Sequence, residues 1–440
     1  MGWEVDGRDW RSGFERRLVT ADQAVSHIPQ GARVWIPPQQ RPEALLLALV
    51  GRVGELRDVE LEAILLDDYG WFLPEIAKSI DVKIYQATEF TRPHVAAGAA
   101  DFVPWWVYLA HKAADEGRRG ARGIDVTMFS VTPPNEQGYC CFGNILWDAR
   151  DCARRARLVL AEVNERMPRT FGDGWIHVSE IDWFVRNDHE PTFFDFPAPT
   201  DEDRRIAEHV AELLRDGDTI QTGTGRSTTA LLRLGVFRNF RDLGWFTEMT
   251  LPGTIDLVLD GIVTCERVTS NPGVFVATAF NCPEDIAVID QNPRFALKPV
   301  SYVHNPCVIG SNDNVVALNS ALSIDLTGQI AAGAIGSTVW SGTGGHLAFA
   351  LGALFSTGGR YVCVMPSTAA GGEVSRITAA LPEGQLLTVP RELADVVVTE
   401  YGIANLLNRS QRERARELIA VAHPDHRADL RRAAARLYGG

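Results

Sequence analysis

The chain has 440 residues, a formal net charge of −13, 45% hydrophobic residues and 22% charged residues. This length is too great for one ordinary core and predicts two domains, and the composition is that of a globular protein. The acidic balance argues against a nucleic acid partner, because such a surface repels phosphate backbones over long range. An anionic ligand must therefore be held by local features, such as backbone N–H groups and a few arginines.

The N-terminal sequence MGWEVDGRDWRSGFERR is charged and lacks the apolar stretch of a signal peptide. No segment approaches the roughly 18 apolar residues that a membrane helix needs. We therefore expect a cytoplasmic protein without a membrane partner. The seven cysteines show no metal-ligand spacing and predict buried free thiols. His423 and His426 sit three residues apart and allow a metal pair, but a solvated helix start explains them better, so no metal is expected.

The first half of the chain alternates helices with short apolar runs. Helices are predicted over residues 21–28 and 43–50, the second beginning after Pro42. Strands are predicted over the apolar runs 33–36, 59–66, 82–85, 124–129 and 158–162. Such alternation favours a parallel α/β sheet.

The segment 187–203 is rich in proline and acidic residues and is typical of a linker. After it, helices are predicted over 202–214, capped by Thr200, and over 228–234, 410–422 and 425–438. Strands are predicted over 219–221, 262–265, 274–278, 286–289, 315–318, 361–365 and 396–398. The sequence thus predicts two α/β halves of similar size, residues 1–197 and residues 198–440.

Three glycine-rich turns are candidates for chemistry: QTGTGRS (221–227), WSGTGGH (340–346) and STAAGGEVSR (367–376). Glycine lets the backbone approach a ligand and present N–H groups, and a following helix N-terminus adds positive potential. Such loops suit a phosphate or an oxyanion formed during acyl transfer. None matches a nucleotide-binding pattern, and each also fits an ordinary tight turn.

Glu248 is a carboxylate inside an apolar stretch, LGWFTEMTLPG (243–253), beside Trp245 and Phe246. From residue type alone, a surface glutamate on an amphipathic element is the more common explanation. The alternative is a nucleophile, because a glutamate carboxylate is ionised at neutral pH without a base.

Several long motifs resemble the acetyl-CoA hydrolase/transferase family, most closely its 4-hydroxybutyrate CoA-transferase-like branch. They are SVTPPNEQGYCCFG (130–143), NSALSIDLTGQI (319–330), SGTGGHLAF (341–349), MPSTAAGGEVSRI (365–377), VVTEYGIANL (397–406) and IAVAHPDHRADL (419–430). Together they span almost the whole chain. The resemblance implies a fold of two α/β domains with open, mainly parallel sheets and an active site between them. It further implies a CoA transferase with acyl-CoA and a small carboxylate as substrates and no permanently bound cofactor. It also implies a homodimer or a dimer of dimers.

The resemblance further implies which residues act. The family's nucleophilic glutamate falls on Glu248, which would form an acyl-glutamyl anhydride and then a glutamyl-CoA thioester. The family's oxyanion donors fall on the backbone of Thr224 and Gly345, and its asparagine near the thioester falls on Asn305. Further residues are expected to contact substrate, namely Gly223, Gly225, Gly344, His346, Trp245 and Glu400. Trp245 and Phe246 would help to keep water from the anhydride.

The sequence departs from the family at the expected site. His346 and Ala348 replace the polar residues of the family's Q-x-D-F segment, and bulky Trp245 stands where the branch has a small aliphatic residue. Aromatic residues are dense in the N-terminal half: Trp71, Phe72, Trp105, Trp106, Trp175, Trp183, Phe193 and Phe194. They are either core or the lining of a large apolar acyl pocket, and the second interpretation predicts a bulky acyl group.

Three alternatives to CoA transfer stay open at this point. On the same site, an acyl-CoA hydrolase would let water intercept the anhydride. An acyltransferase would pass the acyl group from CoA to an amine or alcohol. A protein that binds CoA without catalysis is the third, although retention of Glu248 argues against it.

Overall fold

A computed structural model describes residues 10–191, 193 and 196–439. Its secondary structure mixes short helices with mainly parallel strands in two large sheets, one in each half of the chain. The predicted α/β class with open, mainly parallel sheets is therefore confirmed. The first nine residues and Phe194, one of the aromatic residues considered above, lie outside the described residues.

The N-terminal half is built on a seven-stranded sheet in which all neighbouring strands are parallel. In spatial order its strands are Trp183–Arg186, Leu158–Val163, Val126–Val131, Arg33–Trp35, Val59–Ala63, Ile80–Ile84 and Asp101–Phe102. The central strands are buried on both faces, which explains their continuous apolar character. The α-helices of this half are Trp10–Arg16, Ala21–Val25, Glu43–Gly51, Pro74–Ala77, Arg92–Ala96, Lys112–Asp115 and Ala149–Arg155.

The C-terminal half is built on a six-stranded sheet whose last strand alone is antiparallel. In spatial order its strands are Gly244–Trp245, Thr219–Thr222, Val315–Ser320, Arg360–Val364, Val396–Thr399 and Gly402–Asn405. The longer helices are Asp201–Leu213, Arg226–Arg233, His346–Phe355, Gln411–Ala420 and Pro424–Tyr438. Shorter ones are Thr254–Leu259, Ile286–Ile289, Val300–Val303 and Pro306–Gly310.

Two predicted strands of this half are wrong. Ile286–Ile289 is one turn of α-helix that continues a 3₁₀ turn over Pro283–Asp285, and an apolar run of four residues does not distinguish a buried helix from a strand. The segment 262–265 makes a single bridge, from Val263 to Leu243, and Cys265 turns the chain with a φ of +57°. A left-handed residue ends the extended conformation there.

The two halves share one core. A small parallel sheet joins Phe171–Gly172 of the first half to Phe295–Leu297 and Phe275–Ala277 of the second. One continuous cluster of buried side chains includes Phe129 and Phe142 together with Ile220 and Leu231. Packing of this kind fixes the relative position of the two large sheets.

None of the described helices is long and apolar enough to cross a membrane. All seven cysteines are free; six are buried and Cys307 is exposed. The expected pattern of buried free thiols thus holds for every cysteine except Cys307.

Candidate active site

Glu248 lies just beyond the edge strand Gly244–Trp245, where its backbone is held from two sides. Phe246 N–H donates to Ile220 O of the six-stranded sheet at 3.0 Å, and Thr247 N–H donates to Val276 O of the small sheet at 3.2 Å. The Glu248 carbonyl accepts the N–H groups of Thr278 and Ala279 at 2.8 and 3.2 Å. A side chain on such a braced segment is held in one position, as a nucleophile must be.

The two carboxylate oxygens of Glu248 have different surroundings. Oε2 accepts the N–H of Gly345 at 3.1 Å and lies 2.9 Å from Nε2 of His304. The angle of the His304 contact is outside that of a hydrogen bond, since neither ring nitrogen has a hydrogen-bond partner among the described residues. Oε1 of Glu248 likewise has no hydrogen-bond partner among the described residues. The side chain is 16% exposed.

Gly345 cannot be replaced at this contact without movement. A Cβ there would lie 2.8 Å from Glu248 Oε2 and 2.8 Å from His304 Nε2. Its neighbour Gly344 has a φ of +49°, which side chains rarely adopt. Gly345 is also the N-cap of the helix His346–Phe355, so the N–H that contacts Glu248 belongs to a helix N-terminus.

The first glycine loop packs just as closely. A Cβ on Gly223 would lie 2.6 Å from Asn319 Oδ1, and one on Gly225 would lie 2.3 Å from Ser320 Oγ. The Thr228 hydroxyl donates to Gly223 O at 2.6 Å and so closes the turn. The N–H of Thr224 has no partner in the residues that the structure describes, which leaves it available to a ligand.

Both loops and Glu248 line one cleft of about 410 Å³ at the carboxyl ends of the parallel strands of the C-terminal sheet. Ligands of open α/β sheets bind at this edge. Most of the predicted site residues meet there: Gly223, Thr224, Gly225, Glu248, Gly344, Gly345 and His346. The third glycine-rich turn contributes only its last residue, Arg376, to this lining.

His346 is buried at the wall of this cleft. Its Nε2 lies 2.6 Å from the Tyr361 hydroxyl. Burial lowers the pKa of His346 to about 4, so the ring is neutral at physiological pH. It can therefore exchange a hydrogen bond with Tyr361 but brings no positive charge to the cleft.

Three predicted site residues are placed elsewhere. Trp245 is fully buried in the shared core, with its ring 5.2 Å from that of Phe237 and outside the cleft lining. Glu400 accepts the N–H and hydroxyl of Ser367 at 2.8 and 2.6 Å and so braces the third glycine-rich turn. Asn305 caps the short helix Pro306–Gly310 by accepting Cys307 N–H.

His304 is the contact that sequence reasoning missed. It precedes Asn305, is fully buried, and packs edge-on between the rings of Trp147 and Phe349 at 6.1 and 5.5 Å. An isolated histidine in an apolar segment gives no pattern to identify it. Only the backbone path from Val300 to Pro306 decides that His304, and not its neighbour, faces the carboxylate.

The dense aromatic residues of the N-terminal half divide into two groups. Trp71 is core, Trp183 stacks on His27, and Trp175 donates its indole N–H to Thr170 O. Trp105 and Trp106 instead line a second, more apolar cavity of about 330 Å³. This cavity and the Glu248 cleft share the loop residues Ser341, Gly342 and Thr343.

One group of potential metal ligands occurs in the described part of the chain. His111, Asp148 and Cys152 have donor atoms within 4.8 Å of one another. His111 Nε2 and Asp148 Oδ2 lie 3.0 Å apart and satisfy each other as a hydrogen-bonded pair. None of the three lines the cleft of Glu248.

Comparison with known proteins agrees with this architecture. The N-terminal domain of the acetyl-CoA hydrolase/transferase family matches residues 3–194, and its C-terminal domain matches residues 285–434. Glu248 and the first glycine loop lie between the two matched segments. Their assignment therefore depends on the geometry described above.

Full-length relatives and a solved structure extend the match. The chain is 36% identical to the 4-hydroxybutyrate coenzyme A transferase of Clostridium kluyveri over 96% of its own length and 98% of that protein. It is 32% identical to the succinyl-CoA:cyclohexane-1-carboxylate CoA transferase of Geobacter metallireducens, with 98% of each chain covered. The crystal structure of RipA from Yersinia pestis superposes with a TM-score of 0.89 at 32% identity, over 98% of this chain and 100% of that one. From these matches we conclude that the chain belongs to the acetyl-CoA hydrolase/transferase family.

Proposed function

We propose that this protein is a CoA transferase that moves CoA from an acyl-CoA to a carboxylate through a covalent thioester on Glu248. The observation that carries this proposal is the carboxylate itself. It projects into a cleft between two glycine loops, with Oε2 held by Gly345 N–H and Oε1 open. The full-length relatives that carry the name CoA transferase support the same chemistry.

In the first step, Oε1 of Glu248 attacks the thioester carbonyl carbon of the acyl-CoA. The carbonyl oxygen becomes an oxyanion, which the unpartnered N–H of Thr224 would stabilise. Collapse of this intermediate breaks the carbon–sulfur bond and releases CoA thiolate. The product is a mixed anhydride between the acyl group and Glu248, and no proton transfer is needed.

In the second step, the thiolate attacks the side-chain carbonyl carbon of Glu248. The charge now develops on Oε2, the oxygen that already contacts Gly345 N–H and His304. The donor acid leaves as its carboxylate and carries Oε1 away, which leaves a glutamyl-CoA thioester. The acceptor carboxylate then repeats both steps in reverse and restores the glutamate with one oxygen of its own.

This series of reaction steps conserves the energy of the thioester, so the reaction needs no nucleoside triphosphate and no permanently bound cofactor. Its requirement is the exclusion of water from two reactive acyl groups. Buried Phe349 lines the cleft, and buried His304 packs against Phe349 beside Glu248. Trp245 supports this wall only indirectly, from the core.

Mass spectrometry of the trapped enzyme tests the proposal. After incubation with an acyl-CoA, the peptide that contains Glu248 should gain the mass of CoA, and borohydride should reduce it to an alcohol and abolish activity. The variant Glu248→Gln should show no adduct and no transfer, whereas Glu383→Gln, which changes an exposed glutamate outside the cleft lining, should behave as wild type. Full transfer by Glu248→Gln would sink the proposal.

For the acyl group we propose a bulky apolar chain or ring. The supporting observation is the cavity lined by Trp105 and Trp106, which shares the 341–343 loop with the cleft. The Geobacter metallireducens relative is named for a cyclohexane carboxylate. We expect turnover of a panel of acyl-CoAs to favour cyclic or aromatic acyl groups, and Trp106→Ala to weaken that preference. A clear preference of the wild type for acetyl-CoA would refute this assignment.

Hydrolysis of acyl-CoA is a second candidate because of His304. Its ring lies 2.9 Å from Glu248 Oε2 and could orient or deprotonate a water molecule that attacks the glutamyl carbonyl. A hydrolase should release CoA without any acceptor carboxylate, and His304→Asn should slow that release selectively. An acyltransferase to an amine or alcohol would instead show products whose mass contains the acyl group and the amine or alcohol.

Assembly, domain organisation and location complete the proposal. Each subunit would consist of two domains, residues 1–197 and residues 198–440. The subunits would assemble into a homodimer or a dimer of dimers in the cytoplasm. The support is the family resemblance together with the separate large sheets of the two halves. Light scattering of the purified protein would determine the number of subunits, and a monomer would refute the proposed assembly.

A further inference from the structure

The charge of the Glu248 cleft is opposite to that of the whole chain. The protein carries a net charge of −13. The ionisable side chains that line the cleft are, apart from the neutral His346, three arginines and one carboxylate: Arg92, Arg226, Arg376 and Glu248. A low-dielectric cleft with this lining concentrates positive potential and attracts an anion.

Two of the three arginines are poorly compensated. Arg92 is fixed to the wall, since its Nε donates to Trp340 O and its guanidinium lies 4.1 Å above the Trp340 ring. Arg226 is half-exposed and has only a loose contact with Asp203, at 3.6 Å. Arg376 donates Nη1 to Ala321 O at 3.1 Å, while its buried Nε has no partner among the described residues.

Arg226 and Arg376 are also close enough to affect one another. Burial, and then the charge of Arg226, lower the pKa of Arg376, and Glu400 raises it. Glu400 makes no ion pair or hydrogen bond with Arg376 in the described part of the chain, and its two oxygens accept the N–H and hydroxyl of Ser367. Two guanidinium groups that repel one another in a cleft are stabilised when an anion lies between them.

Two neutral hydrogen-bond donors line the same cleft. The hydroxyl groups of Thr222 and Ser320 are buried, line the cleft, and lack a hydrogen-bond partner in the described part of the chain. Thr222 is only 1% exposed. They end the adjacent parallel strands Thr219–Thr222 and Val315–Ser320. Buried hydroxyls are rarely left unpaired unless a ligand or water completes them.

We propose that Arg226 and Arg376, with the hydroxyls of Thr222 and Ser320, form an anion subsite for a second negative group of the substrate, distinct from the reacting thioester. This inference rests on the proposed function. The chemistry fits a phosphate of CoA or the distal carboxylate of a dicarboxylic substrate, since planar guanidinium groups bind either through paired hydrogen bonds. In either case the subsite would orient the acyl-CoA so that its carbonyl faces Glu248.

Kinetics with substrates that lack one anion test the subsite. Acyl-CoA is compared with the corresponding acyl-pantetheine, which has no phosphate, and succinate is compared with butyrate as acceptor. Arg376→Gln and Arg226→Gln should raise KM about ten- to hundredfold for the substrate that carries the recognised anion. They should leave KM for its truncated analogue and kcat within about threefold. Arg57→Ala, an exposed arginine outside the cleft lining, is the control.

The pattern of loss identifies the anion. A loss confined to acyl-CoA assigns a phosphate, and a loss confined to succinate assigns a carboxylate. Unchanged KM values in both variants, or equal losses with all four substrates, would overturn the subsite.

A binding measurement separates this inference from the proposed function. Calorimetry with CoA and with succinate needs no turnover, so it reports on the subsite even if Glu248 forms no adduct. The wild-type protein should bind either CoA or succinate at least about tenfold more tightly than Arg376→Gln binds the same ligand. Circular dichroism shows whether each variant is folded, and Arg376→Lys, which keeps the charge, should recover part of the binding. Equal binding by wild type and both glutamine variants would refute the subsite.

Discussion

At the scale of single residues, the contact between Gly345 and Glu248 makes the most demanding prediction. In Gly345→Ala the new Cβ would lie 2.8 Å from both Glu248 Oε2 and His304 Nε2, so the carboxylate or the loop must move. We expect kcat to fall about 10²- to 10³-fold, the range seen when one oxyanion donor is lost or a reacting group is displaced. Steady-state kinetics and the yield of the CoA adduct on Glu248 would measure this.

Gly51→Ala is the matched control for that substitution. Gly51 ends the helix Glu43–Gly51, and nothing lies within 4 Å of a Cβ there. It should leave kcat unchanged and keep or slightly raise the melting temperature. Wild-type turnover in Gly345→Ala would show that the reaction does not depend on the close approach of residue 345 to Glu248.

A second residue-scale prediction concerns stability and pH. Asp285 is 3% exposed, and its Oδ2 has no partner among the described residues. Burial, and then the charge of Glu284, raise the pKa of Asp285 to about 7. Ionised Asp285 therefore destabilises the fold, and Asp285→Asn should be the more stable protein above pH 7, by about 2 kcal/mol.

The sign of the pH dependence follows from proton binding. Between the unfolded pKa of about 4 and the folded pKa of about 7, the folded protein holds a proton that the unfolded chain has lost. The contribution of Asp285 to the stability of the wild-type protein therefore falls as the pH rises between these two pKa values. Thermal melts from pH 4.5 to 8 should show the gain of Asp285→Asn increasing with pH, with Glu383→Gln as the control. If Asp285→Asn were more stable than wild type by the same amount at every pH, burial would not be raising the pKa of Asp285.

At the scale of secondary structure, one acidic residue joins a helix start to the first glycine loop. Asp203 completes the capping box of the helix Asp201–Leu213 with Thr200, and its other oxygen accepts the Ser227 hydroxyl at 2.8 Å. Ser227 lies in the helix that begins directly after Gly225. The cap of one helix thus fixes the start of the next, where Thr224 and Gly225 face the cleft.

The prediction is that Asp203→Ala affects both stability and activity, whereas Thr200→Ala affects stability alone. Loss of the Thr200 cap should cost about 1 kcal/mol, and loss of Asp203 about 2–4 kcal/mol because it also leaves buried Ser227 without a partner. Chemical denaturation measures the loss of stability, and KM for acyl-CoA measures the effect on activity. Equal KM values in the two variants would show that the loop does not depend on Asp203.

At the scale of the whole molecule, the shared core couples the two halves. The cluster that holds Phe129 and Phe142 continues into Ile220, Leu231 and Phe237 without a break. Separation of the halves would expose this apolar surface to water, at a cost of roughly 25 cal/mol for each Å². We therefore predict one cooperative unfolding transition, even though the large sheets belong to different halves.

Differential scanning calorimetry measures this directly. A single heat-absorption peak is expected, and residues 198–440 expressed alone should aggregate, because they lack the side chains that complete the core. Two resolved peaks, or a stable and soluble C-terminal half, would show that each half folds independently.

The sequence alone determined what depends on local pattern. Continuous apolar runs predicted strands over 33–36, 124–129 and 315–318, and each overlaps a strand of the structure, because parallel strands are buried on both faces. Thr200 marked a helix start as its cap, and the helix predicted from Ser410 begins at Gln411. The glycine loops and Glu248 were identifiable for the same reason, since their spacing and their resemblance to the family are properties of neighbouring residues.

The tertiary structure decided what depends on which way a side chain faces. Trp245 and Glu248 lie three residues apart, yet one is fully buried in the core and the other opens into the cleft. His304 and not Asn305 contacts the carboxylate, because the turn before the helix Pro306–Gly310 points its side chain inward. Arg226 and Arg376 come together from segments 150 residues apart in sequence. Such choices are made by packing between distant segments, and no local pattern in the chain records them.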